Sequence, residues 1–169
     1  MIEPLRSGWR WLPLSVALIV ADQWTKRLVE ARFVLGESLP VWFWFDLTRL
    51  HNAGAAFSFL AGQDGWQIGF LSVLAVVVTL LLLIWLRTLH ARREAILSAA
   101  LALVIAGAIG NVIDRIEHGY VVDFIHVHWQ QAYFPAFNVA DSAITIGAAL
   151  LIWDAFADWR RSRGAGGTA

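Results

Sequence analysis

Long stretches of this chain carry almost no polar side chain, and that pattern predicts helices that cross a membrane. Residues 66–86 hold no charge, residues 95–113 are uncharged and rich in Ala and Gly, and residues 136–157 carry only Asp141 and Asp154. Residues 11–21 are apolar and continue helically through Asp22-Gln-Trp-Thr-Lys26. About 20 residues rising 1.5 Å each span a hydrocarbon core of roughly 30 Å. Four transmembrane helices are therefore expected, at about 11–31, 66–86, 95–114 and 136–157. A basic start and a short apolar run also fit a signal peptide at the N-terminus, but the helical pattern runs past Ala21 without a small-residue cleavage pair. Between the first two helices, Leu39-Pro-Val-Trp-Phe-Trp-Phe-Asp-Leu-Thr-Arg-Leu50 is aromatic and β-branched and predicts short strands. It is too apolar for a solvated loop, so a small sheet lying on the outer membrane face is expected, within a β segment at about 34–64. The fold class is a mostly α membrane protein, a four-transmembrane-helix bundle with that outward-facing sheet between helices 1 and 2. It forms a single domain over residues 1–163, and the tail at 164–169 is expected to be disordered.

Composition narrows the class. The chain of 169 residues is 59% hydrophobic and 15% charged, against roughly 25% charged in an ordinary soluble domain. Its ten Trp and ten Phe suit the membrane–water interface. Net charge is zero, so no nucleic-acid partner is expected. The absence of Cys excludes disulfides, a thiol nucleophile and thiolate metal sites. Arg6, Arg10, Arg87, Arg92, Arg93, Arg160, Arg161 and Arg163 fall on one side of the predicted helices, and Lys26, Arg27, Arg32, Arg49 and Arg115 on the other. This asymmetry predicts cytoplasmic termini and outward-facing segments at 28–65 and 114–135. Ala102, Ala106 and Gly110 on helix 3, and Ala143 and Gly147 on helix 4, have the four-residue spacing of close helix packing.

Against this apolar background the polar residues stand out. Asp141 opens an apolar helix, and Asp123 lies a short connection upstream in Tyr120-Val-Val-Asp-Phe-Ile125. A carboxylate inside a membrane segment marks by default an ion path, a proton relay or a catalytic site. Asn111, Asp114 and Arg115 form a polar stripe on helix 3, and Asn138, Asp141 and Thr145 one on helix 4; both must turn towards the bundle interior. Asp114 reads as the ion-pair partner of Arg115, whereas Asp141 has no cation within a helical turn and is available for proton transfer. Asp22 and Lys26, four apart, read as an ion pair that neutralises both groups. In the extended run 120–128, alternation puts Val121, Asp123, Ile125 and Val127 on one side. His126 and His128, with His118 nearby, offer ligands for a metal, but the His-Glu-x-x-His signature is absent and no metal is expected.

Five blocks then resemble one family. Asp22-Gln-Trp-Thr-Lys26, Asn52-Ala-Gly-Ala-Ala-Phe-Ser58, Gly110-Asn-Val-Ile-Asp-Arg115, Val121-Val-Asp-Phe124 and Phe137-Asn-Val-Ala-Asp-Ser142 are similar, in identity and order, to those of the bacterial lipoprotein signal peptidases, signal peptidase II. The resemblance implies an aspartyl endopeptidase with Asp123 and Asp141 as its catalytic pair. It also implies that Asn52 and Gly54 line the substrate groove and that Asn111, Asp114, Arg115, Asn138 and Ala140 hold the pair in place, with Asp22 and Lys26 as site support. The aromatic segment would belong to the family's outward-facing β-cradle. The implied substrate is a prolipoprotein carrying a diacylglyceryl-modified Cys, cut just before that Cys at the outer face of the bacterial cytoplasmic membrane. Two close carboxylates share a proton; one draws a proton from water while the other protonates the leaving amine, so no cofactor is expected. Membrane lipid is the other expected partner, and the chain is expected to act as a monomer. A small proton-coupled transporter using Asp22, Asp114 or Asp141 is the alternative reading. Transporter sites lie near the bilayer midplane, whereas these carboxylates lie near the helix ends.

Overall fold

The computed structural model describes residues 7–54 and 65–165. A 3-10 turn (Gly8–Trp11) leads into α1 (Leu12–Arg32). There follow β1 (Ser38–Trp42), β2 (Phe45–Asn52), α2 (Trp66–Thr88), α3 (Ala95–His118), β3 (Val121–Trp129), β4 (Ala132–Tyr133) and α4 (Val139–Ala165). Among the described residues, three helices are long and apolar enough to cross a membrane: α2, α3 and Val139–Arg163 of α4. The fourth helix of the sequence reading, α1, has 21 residues but carries Asp22, Lys26, Arg27, Glu30 and Arg32 in its second half. Its composition therefore does not mark it as a span.

The central helix is α3, which is mostly buried, whereas α4 and α2 are mostly exposed. The outer helices keep large apolar side chains on their surfaces, among them Phe70, Leu74, Leu81 and Ile84 on α2 and Ile146 and Ile152 on α4. Small residues set the α3–α4 spacing. Ala102, Ala106, Gly110 and Ala143 are buried as their spacing implied, but the closest approach is at Gly107, outside that four-residue repeat. A Cβ there would lie 2.2 Å from the Ala140 carbonyl oxygen and 2.6 Å from Ile144 Cγ1. A Cβ on Gly147 would lie 2.7 Å from Val104 Cγ2. At the far end of the bundle from the sheet, residues 7–11 tie the start of α1 to the α2–α3 connection. Ser7 Oγ donates to the Arg87 carbonyl (2.9 Å), and the Trp9 and Trp11 indoles donate to the carbonyls of Leu83 (3.2 Å) and Ala91 (3.1 Å).

The sheet is larger than the sequence reading placed between helices 1 and 2. It is a four-stranded antiparallel meander, β1-β2-β3-β4, whose second half comes from the connection between α3 and α4. Strands β2 and β3 pair with Leu50 opposite Asp123 and Asn52 opposite Val121, and the register shifts between Leu47 and Leu50. At the C-terminus α4 runs through Ala165 rather than giving way to a disordered tail at Gly164. Residues 166–169 of that expected tail, residues 55–64 of the expected β segment, and the Ala55–Ser58 part of the second sequence block lie outside the described residues.

Candidate functional site

The site forms where three chain segments end together. Helix α3 stops at Gly119, whose φ of +77° turns the chain into β3; a residue without a Cβ adopts that conformation readily. On β3, Val121, Val122, Asp123 and Phe124 are all buried. The expected alternation of inside and outside is therefore lost here, because this end of the strand also packs against α1 and α3. Phe137 bridges back to Ile125, exchanging backbone hydrogen bonds of 2.8 and 3.0 Å, which sets Asn138 beside Asp123. Helix α4 begins only at Val139, so Asn138 lies before it rather than within it. Asn138 Oδ1 accepts from the Asp141 N–H (2.9 Å), and the Asn138 N–H donates to Asp141 Oδ2 (3.3 Å). This reciprocal N-cap satisfies donors that a helix start leaves unpaired.

Asn138 also connects the two carboxylates. Its Nδ2 donates to Asp123 Oδ1 at 2.8 Å, while Asn52 Nδ2 donates to Asp123 Oδ2 at 3.0 Å. Asn111 Nδ2 donates to Asp141 Oδ1 at 2.8 Å. Asp123 is 3% exposed. Burial pushes its carboxyl up to about 7 from an ordinary value of 3.8, and the charge of Asp141 adds to this, while the amides of Asn52 and Asn138 pull the other way. The arrangement holds two carboxyl groups together with one of them poised to carry a proton near neutrality.

Behind the pair lies a buried charge cluster that joins α1, α3, β3 and α4. Lys26 Nζ sits 2.8 Å from Asp22 Oδ2 and 2.9 Å from Asp114 Oδ2, and it donates to Asn111 Oδ1 at 3.2 Å. Asp22 Oδ1 accepts from the Ala140 N–H at 2.8 Å, and Asp114 Oδ2 accepts from the Val122 N–H at 3.1 Å. The expected Asp114–Arg115 pair is thus replaced by Asp114–Lys26. Adjacent residues on a helix point about 100° apart and do not face each other. Arg115 instead donates to the carbonyls of Gly54 (3.1 Å) and Asn111 (3.4 Å). The Gly54 N–H donates to Asn52 Oδ1 at 3.0 Å, which leaves the Asn52 amide nitrogen for Asp123. Ala140 is buried beside Gly110, where a Cβ would lie 3.2 Å from its own. Thr145, expected to face inward, is exposed and donates to the carbonyl of Asp141 (2.9 Å).

Two residues at or near the site escaped the sequence reading. Gln23 donates to Asp114 Oδ1 at 2.8 Å; its place inside the Asp22-Gln-Trp-Thr-Lys26 block was the signal that could have singled it out. Asp46, on β2, lies 3.3 Å from His128 Nε2 through its Oδ1. The His-x-His pair stacks against Tyr133, with ring centroids at 5.0 Å for His126 and 4.9 Å for His128. His118 stacks on Tyr120 at 5.5 Å instead of joining them. Among the described residues, no group of three His, Asp or Glu gathers to hold a metal ion.

Residues 14–157 match the family model described as signal peptidase (SPase) II. A lipoprotein signal peptidase of Pseudoalteromonas translucida (strain TAC 125) is 51% identical over 151 residues, covering 89% of this chain and 90% of its own. Its counterpart in Shewanella woodyi is also 51% identical, over 148 residues, 88% of this chain and 84% of its own. Among solved structures, a bacterial membrane enzyme determined by the in meso method at 2.3 Å superposes with a TM-score of 0.79 at 31% identity, covering 88% of each chain. A second such enzyme, at 1.9 Å, gives 0.74 at 32% identity, over 86% of this chain and 91% of its own.

Proposed function

Since the chain belongs to the signal peptidase II family, we propose that it is an aspartic-type membrane peptidase that removes signal peptides from prolipoproteins, with Asp123 and Asp141 as its reacting pair. The observation that carries this reading is Asn138: one residue hydrogen-bonds both carboxylates, through its side chain to Asp123 and through its backbone to Asp141. We assign the resting proton to Asp123, whose buried carboxyl lies beside the charge of Asp141. Asp141, in the first turn of α4 where a helix favours negative charge, takes a proton from water, and the water oxygen attacks the scissile carbonyl. Asp123 hydrogen-bonds the developing oxyanion and passes its proton to the leaving amine as the C–N bond breaks. Asn111, Asp114, Arg115, Asn138 and Ala140, with Asp22 and Lys26 behind them, hold the carboxyl groups in place, and Asn52 and Gly54 line the substrate groove. The transporter alternative has no support in the family match or in the relatives.

Further parts of the reading concern placement. The substrate carries a diacylglyceryl-modified Cys and is cut before it. The chain crosses the bacterial cytoplasmic membrane four times as one domain and one copy, with both termini inside and the sheet and carboxylate pair at the outer face. Arginines at the sheet-distal end, including Arg87, Arg92, Arg93, Arg160, Arg161 and Arg163, support that orientation. The purified protein should release the signal peptide from a diacylated prolipoprotein, read by mass. Asp123→Asn and Asp141→Asn should each remove nearly all cleavage, since general acid–base assistance is worth roughly a hundred- to ten-thousand-fold. The double variant should be little worse, because the two act as a unit. Substantial cleavage by either folded single variant would overturn the assignment.

A further inference from the structure

We propose that Gln23 is a positioning residue for the carboxylate pair: its side-chain amide fixes Asp114 and, through Asp114, the start of β3 from which Asp123 projects. This rests on the peptidase reading above. Gln23 lies on α1, partly buried, with its Nε2 facing three acceptors: Asp114 Oδ1 at 2.8 Å, the Gly110 carbonyl at 3.2 Å and Asp22 Oδ2 at 3.3 Å. Three acceptors converge on one atom, so the amide nitrogen and not its oxygen must point there.

The bond to Asp114 Oδ1 divides the labour on that carboxylate. Lys26 and the Val122 N–H both engage Oδ2, so Gln23 restrains rotation of the carboxylate about its Cβ–Cγ bond by holding the other oxygen. Val122 immediately precedes Asp123, and its carbonyl accepts from Asn138 Nδ2 at 3.3 Å, the same nitrogen that donates to Asp123. A carboxylate free to turn would loosen the Val122 N–H and with it both the strand position and the Asn138 amide. The charged groups around this path are Asp22 and Lys26 on α1, Asp114 and Arg115 on α3, Asp123 on β3 and Asp141 on α4. Neutral replacement of Gln23 changes none of them.

The test compares two substitutions in the full-length protein, measuring kcat and KM for a diacylated prolipoprotein well below each variant's Tm. Gln23→Met keeps the length of the side chain but donates nothing. Its kcat should fall roughly ten- to a hundred-fold, as expected when a reacting group is misplaced by a fraction of an ångström or more, with KM within about twofold. Gln23→Lys returns a donor of similar reach to Asp114 and should keep kcat within about threefold. Wild-type kcat in Gln23→Met, or a lowered Tm with unchanged kcat, would overturn the proposal, as would a fall in kcat that Gln23→Lys shares. If Gln23→Met yields no folded protein, Gln23→Ala takes its place with the same readings, an unchanged kcat overturning the proposal and a fall in kcat that Gln23→Lys does not share supporting it. A wild-type protein that does not cleave overturns the peptidase reading and this proposal with it; an unaffected Gln23→Met beside an active wild type overturns the proposal alone.

Discussion

At Asp123, burial and a neighbouring negative charge act in the same direction and hold the proton on until about pH 7. As pH rises through that value the pair becomes doubly ionised and the acid is lost, so kcat/KM should fall on the alkaline side with a midpoint near 7. Stability follows the same sign. The folded-state carboxyl titrates higher than the ordinary 3.8, so its contribution is fully present below about pH 4 and is lost as pH rises to about 7. Between those values it should cost about 1.4 kcal/mol per pH unit. Melting curves of wild type against Asp123→Asn from pH 4 to 8 should show a steeper loss of stability with pH in the wild type; parallel curves would remove the argument. Lys26 acts on the pair differently. Its ammonium attracts Asn111 Oδ1 and so turns the Asn111 amide nitrogen towards Asp141. Lys26→Met strands two buried carboxylates and should destabilise by about 3–5 kcal/mol, read as a lower Tm in detergent, together with loss of cleavage. A Tm close to wild type would show that the cluster is already neutral. The Asp22–Lys26 pair was legible because four residues along a helix bring side chains together. The Lys26–Asp114 pair was not, because it joins α1 to α3 across a separation that no local spacing encodes.

Among the elements, α3 and α4 approach so closely that the site's geometry depends on a glycine outside the motif blocks. A methyl at Gly107 would press on the Ala140 carbonyl, one residue before Asp141, and its partner is backbone that cannot swing away. Gly107→Ala should destabilise by about 1–3 kcal/mol and reduce cleavage together with Tm, whereas Ala at the exposed Gly69 of α2, where a Cβ meets nothing within 4 Å, should leave cleavage unchanged. Normal activity in Gly107→Ala would mean that the α4 start tolerates displacement. The helices themselves were readable from runs of apolar residues. The strand identity of 121–129 was half readable, as an extended run, but its partner was not. Register between β2 and β3 is set by a shift between Leu47 and Leu50, and pairing across some seventy residues leaves no periodic trace in either strand. Asn138 was read as part of helix 4, although Asn-x-x-Asp ahead of an apolar run is itself a start signal.

For the whole molecule, the number of membrane crossings turns on α1. Its charges argue against a span by composition alone, since a lone charge at the bilayer centre costs roughly 2.5–3.5 kcal/mol. Two of them, Asp22 and Lys26, are buried and paired with each other, and Lys26 also pairs with Asp114. The other three, Arg27, Glu30 and Arg32, fall in the last six residues of the helix, about 9 Å of rise, where long side chains reach the interface. What remains, from Leu12 to Ala21, is uncharged. Paired charge inside and terminal charge at the interface are what the proposed crossing by α1 rests on. Reporters active only outside the cytoplasm, fused after Gly36, His90, Gly119 and Arg163, should read active, silent, active and silent. The same reporter placed ahead of α1 should be silent; an active one there beside an active fusion after Gly36 would leave both ends of α1 on the outer side and remove the four-crossing arrangement. Active fusions after His90 and Arg163 with silent ones after Gly36 and Gly119 would turn the carboxylate pair to the inner face, away from the outer surface at which cleavage is proposed.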